Sequence, residues 1–174
     1  MFSRPRSYWK FILYVVLTLV CFLLQSVPSF GVRFLGCAPS LLLLLTLGVA
    51  FFESPDFAAW FGLIAGILSQ LTTAVLSVTD GILFMFAGYF VAAALELFLQ
   101  RKFLVYLYVS LIALFLQQIL DYLYHLLLWD RLSFGAALIH QILPVFCFSG
   151  LFAFPLYGIL WHYDQKFRAK EELD

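Results

Sequence analysis

The chain has 174 residues, 64% of them hydrophobic and 11% charged, with ten Lys and Arg balancing ten Asp and Glu. At a mean hydropathy of +1.01 too few polar side chains exist to solvate a water-soluble domain, so the composition predicts an all-α, polytopic integral membrane protein forming one membrane domain over residues 1–174. The charge pattern holds no basic patch interleaved with aromatics, so nucleic acid is not an expected partner, and Cys21, Cys37 and Cys147 form no CxxC pair that would indicate zinc or a disulfide framework.

In chain order, Arg4, Arg6 and Lys10 precede an apolar run over residues 11–27. A secretory signal has the same outline, but this run is long for one and Ser26-Val27-Pro28 is a poor small-residue cleavage pattern, so an uncleaved first helix is expected. A loop over residues 31–38 leads to the second span, 38–52, with Pro39 where a helix begins and a missing amide is no loss. That span is short, so the loop before it is expected to be partly sunk into the protein. After an acidic turn from Glu53 to Asp56 come two runs of spanning length, 57–76 and 81–100, joined by a short turn. About 20 apolar residues cover a hydrocarbon core of roughly 30 Å, so this pair is expected to be a transmembrane hairpin. A fifth span is expected over 103–128 and a sixth over 134–161, interrupted by Pro144 and Pro155, each of which predicts a kink or a break. The charged tail from Asp164 to Asp174 is predicted to fray.

Six spans place both termini on one side. Arg4, Arg6, Lys10, Arg101, Lys102, Lys166, Arg168 and Lys170 fall on that side, with only Arg33 and Arg131 opposite, so the shared side is expected to be cytoplasmic. Trp9, Trp60, Trp129 and Trp161 lie near predicted span ends, where indole rings favour the headgroup region.

Two sets of residues stand out inside the spans. Gly62 and Gly66, four apart, share a helix face, and Gly88 with Ala92 marks a small-residue face on the next span; such faces let backbones approach closely and could pack helices or receive a partner helix. Gln117, Asp121 and His125 recur every four residues on one face of the fifth span, with His140 at a similar depth on the sixth. Such a cluster could hold a metal or relay protons, whereas interhelical hydrogen bonding is the plainer expectation. No metal or cofactor is expected, and with no HExxH, GxSxG, P-loop or dinucleotide turn the chain is expected to bind rather than catalyse.

Ala38-Pro39-Ser40 before a Leu run, the Phe61-to-Leu68 stretch with its two glycines, Gly81, Gly88-Tyr89, and Pro155-Leu156-Tyr157 before a basic tail together resemble the MreD family of bacterial rod-shape-determining membrane proteins. The resemblance runs over nearly the whole chain. Ser40 and Gln70 stand where that family commonly carries Asp. The resemblance implies a non-enzymatic subunit of the cell-elongation machinery in the bacterial cytoplasmic membrane, surrounded by lipid. It would associate with the single-span MreC and, directly or through it, with MreB and the cell-wall synthases. It also implies a fold similar to the substrate-binding subunits of energy-coupling-factor vitamin transporters. Those subunits are the alternative reading of this chain, although they carry an Ala-xxx-Ala docking face on helix 1 and the run from Phe11 to Gln25 contains neither Ala nor Gly.

Overall fold

The computed structural model describes residues 7–26, 39–71, 79–97, 102–129 and 143–171. They form six α-helices and no strand: α1 (Ser7–Ser26), α2 (Leu41–Phe52), α3 (Pro55–Leu71), α4 (Thr79–Leu97), α5 (Phe103–Trp129) and α6 (Leu143–Glu171). Of these, α4 over Asp80–Leu97 and α5 over Phe103–Leu123 are long and apolar enough to cross a membrane, while Lys10–Ser26 and Leu41–Phe52 are shorter apolar helices.

Helix α2 is the axis of the bundle. Its sequence, LLLLLTLGVAFF, is apolar all round, and a helix without a polar face must be covered on every side. Eleven of its twelve residues are buried, and it packs on each of the five other helices. The one hydroxyl in it, on Thr46, donates 2.9 Å to the Leu42 carbonyl one turn back, which satisfies it without a partner from another helix. Pro39 and Ser40 at the start of this helix are buried; the loop over residues 31–38, expected to be partly sunk into the protein, lies outside the described residues.

Aromatic rings fasten α5 and α6 to the axis. Tyr106 meets Phe51 edge-on at 5.3 Å and Tyr157 at 5.0 Å, and Phe103 lies 5.1 Å from both Phe154 and Tyr157. The Tyr106 hydroxyl, fully enclosed, donates to the Leu44 carbonyl of α2 at 3.1 Å, meeting the need of a buried phenol for an acceptor.

The boundaries differ from expectation in two places. Pro144 is the second residue of α6, where its missing N–H interrupts no helical bond, so only Pro155 stands inside the helix. The charged tail does not fray at Asp164: α6 continues to Glu171, giving a helix about 43 Å long at 1.5 Å per residue, against about 18 Å for α2. Residues 72–76, 98–100 and 134–142, expected to be helical, lie outside the described residues.

Candidate functional site

The small-residue face is closed within the chain. Helices α3 and α4 run antiparallel and make the most extensive helix pair. A Cβ on Gly62 would run into the Phe84 carbonyl, one on Gly66 would stand 2.5 Å from the Asp80 carbonyl oxygen, and one on Gly88 would stand 2.6 Å from that of Ala58. Each four-residue step along α3, from Ala58 to Gly62 to Gly66, is matched by four residues back along α4, from Gly88 to Phe84 to Asp80. Ala92 extends the seam, buried with Ala50 of α2 and Ala58. Gly81 takes the ordinary contact of Ile67 Cγ1, at 3.5 Å from its Cβ position. The four residues singled out for helix packing therefore pack this chain's own helices, and that face is not open to another protein.

At one end of the bundle α1, α2 and α6 are tied by charge. The Tyr14 hydroxyl donates to Glu53 Oε1 at 2.8 Å, and Lys10 Nζ lies 3.7 Å from the same oxygen and 3.8 Å from Asp164 Oδ1. Glu53 is the residue that ends α2, its N–H bonded to the Val49 carbonyl. The sequence reading passed over this set, treating Glu53 as part of a turn and Asp164 as part of a frayed tail. The available signal was the four-residue spacing of Lys10 and Tyr14 together with the expectation that all three segments share a side.

The opposite end is held by hydrogen bonds. The Ser40 N–H at the start of α2 donates to Ser149 Oγ of α6 at 3.0 Å, both buried, and Ser69 Oγ of α3 donates to Asp80 Oδ2 of α4 at 3.0 Å. Pro39, Gly81 and Gly88 of the family pattern thus stand at or beside helix contacts, whereas Tyr89 and Pro155 are exposed.

The polar stripe is present in part. Gln117 and Gln118 are buried in α5, and Asp121, half-buried, is engaged within the chain. The His125 side chain and all of His140 lie outside the described residues, so the predicted four-residue cluster is not brought together by them. Among the described residues no group of three His, Cys, Asp or Glu side chains could hold a metal. Among the described residues, three buried oxygens in this half have no hydrogen-bond partner: Gln117 Oε1, and Gln25 Oε1 and Ser26 Oγ at the end of α1. Sequence reasoning did not single out Gln25 or Ser26.

Comparison with protein-family models, with curated proteins and with solved structures returned no match. The class the geometry defines is an all-helical bundle with two helices long and apolar enough to cross a membrane.

Proposed function

We propose that this chain is a six-span subunit of the bacterial cytoplasmic membrane, with both termini cytoplasmic, that works without catalysis by holding the membrane helix of a partner, as MreD-type proteins hold MreC in the cell-elongation complex. The observation that carries the membrane part is the inverted surface. Large apolar side chains such as Val16, Leu19, Phe90, Tyr108 and Leu151 stand 52–67% exposed on the outer faces of four helices, while Thr46, Ser110, Ser149 and both glutamines of α5 are buried. In water that arrangement is unfavourable at about 25 cal/mol per Å² of apolar surface, and in a bilayer it carries no such cost. The clustering of Lys10, Glu53 and Asp164 at one end supports the alternating order of spans, since it requires α1 to start where α2 ends and α6 emerges.

The MreD part rests on the motif resemblance, and the role of Pro39, Gly62, Gly66 and Gly88 as points of close packing agrees with a scaffold whose pattern residues set the helix arrangement. Expression in a rod-shaped bacterium whose own MreD is depleted tests it: rescue of rod shape, with co-purification of that cell's MreC, is the expected result, and round cells despite normal accumulation would remove the reading.

The unpartnered oxygens of Gln25, Ser26 and Gln117 favour a second reading, a substrate-binding subunit of a vitamin transporter, because buried acceptors without donors are what a polar ligand would satisfy. Against it, the outer face of α1 is covered by bulky residues from Phe11 to Leu23. Mass spectrometry of small molecules retained by the purified protein separates the two, since a stoichiometric vitamin would select the transporter.

A further inference from the structure

Helix α2 begins within the bundle while α5 runs on past that level, and polar groups left without partners collect there. Tyr106 fixes the line of α5 that faces α2, since its ring meets Phe51 and its hydroxyl reaches the Leu44 carbonyl. Gln117 stands eleven residues further on, about three turns plus 20°, so it lies on the same line and about 16 Å nearer the start of α2. On α1 the same step leads from Tyr14, which bonds Glu53 at the end of α2, to Gln25. Helix α2 is itself about 18 Å long. Both glutamines therefore come level with its first turn, carried there by two different helices that pack on it.

The two sides of this place carry opposite deficits. Gln117, 5% exposed, and Gln25 each hold a buried Oε1 with no donor among the described residues, and Ser26 adds a buried Oγ next to Gln25. At the start of α2 the Ser40 N–H goes to Ser149 Oγ and the Leu41 N–H to the Pro39 carbonyl. Ser40 makes no side-chain cap, so the N–H groups of Leu42 and Leu43, both fully buried residues, have no acceptor among the described residues. Buried polar groups in folded proteins are nearly always bonded, and leaving one unbonded is costly. Here donors and acceptors are stranded at one level of the bundle without bonding one another, an arrangement that a bridging molecule would close.

We infer that the start of α2 is the binding site of a small zwitterion of the amino-acid type, its carboxylate on the Leu42 and Leu43 N–H groups and its ammonium among Gln25 Oε1, Ser26 Oγ and Gln117 Oε1. A helix N-terminus offers free N–H groups and the positive end of the helix dipole, so it takes an anionic oxygen. Amide and hydroxyl oxygens that lack a donor take N–H groups, and an ammonium brings three. A simple anion would leave the three oxygens unbonded, and a simple cation would face the positive end of α2. The site uses no outer helix face, so it goes beyond the helix-holding reading and does not depend on it.

The test uses the purified full chain in detergent, with the common amino acids, β-alanine and γ-aminobutyrate as probes, each in millimolar excess. At least one is expected to raise the melting temperature by several degrees, while its N-acetyl and amide forms, each lacking one charge, do not. Titration calorimetry with that probe is expected to show at least tenfold weaker binding to Gln117→Leu and to Gln25→Leu. Both variants should accumulate, since they remove oxygens that nothing bonds, and using two guards against one that misfolds. Gln118→Leu, about 100° around α5 from Gln117, is expected to bind as the wild type does. No shift with any probe, the result if water alone fills the site, overturns the inference, as do equal shifts with the N-acetyl and amide forms. Undiminished binding by both Gln117→Leu and Gln25→Leu overturns the site. A vitamin bound there in place of every probe overturns the inference while selecting the transporter reading. None of these results touches the helix-holding reading, whose own test is partner retention.

Discussion

Gly66 of α3 lies against the backbone of Asp80 in α4, so closely that a Cβ would stand 2.5 Å from the Asp80 carbonyl oxygen and from the Gly81 Cα. The neighbouring atoms are main chain and cannot swing aside, unlike the Leu160 side chain that covers Gly48. Gly66→Ala is therefore expected to force the hairpin apart and destabilise the protein by about 1–3 kcal/mol, the range for overpacking a tight interior. Gly62→Ala and Gly88→Ala should behave alike, and thermal unfolding in detergent measures all three. Gly66→Leu protein that accumulates and melts as the wild type does would contradict the seam.

Tyr14→Phe removes the donor to Glu53 while keeping the ring, which packs 6.0 Å from Phe57 and 6.1 Å from Phe61. The expected loss is about 1 kcal/mol, the usual net worth of such a bond. Glu53→Gln keeps an acceptor for Tyr14 but removes the charge facing Lys10, so the two single changes should not add up in the double variant. Strict additivity, measured by unfolding of the four proteins, would show that the cluster does not act as a unit.

In the proposed topology, reporter fusions within residues 31–37, 77–80 and 130–133 are expected to read as external. A fusion in the turn from Glu53 to Asp56 should read as cytoplasmic, because Glu53 shares its end of the bundle with Lys10 and Asp164. A cytoplasmic signal from any of the first three would break the six-span order.

Two buried polar side chains are expected to respond in opposite directions. Ser149→Ala strands the buried N–H of Ser40, which should destabilise the protein by about 1–3 kcal/mol. Gln117→Leu removes a buried oxygen that has no partner, so unfolding should show unchanged or raised stability. A marked loss of stability in Gln117→Leu would reveal a partner for that amide.

Asp121→Leu is expected to weaken the bundle by on the order of 1 kcal/mol, as membrane hydrogen bonds do when lost, without abolishing any chemical step. Complete loss of a pH-dependent ion flux at wild-type accumulation would point instead to a proton pathway through the α5 stripe.

The sequence alone determined where helices run, because apolar runs are long and their ends are marked by prolines and charges. Pro39 precedes α2, the Ser54-Pro55-Asp56 step opens α3, and Lys102 precedes α5. It also marked Gly62, Gly66 and Gly88 as places of close approach, since their spacing puts small residues on one face. Which backbone would approach was decided by tertiary structure: helical spacing names a face but not what lies opposite, and here the opposite surface is the chain's own neighbouring helix. The same holds for α2, whose all-apolar composition suits a lipid-exposed span and a bundle axis equally until five neighbours enclose it. Lys10, Glu53 and Asp164 are separated by more than forty residues at each step, and only the folded ends bring them within ion-pair distance. That contact also lies within the tail that composition alone marked for fraying, because charge density reports solvation and says nothing of a partner waiting on another helix.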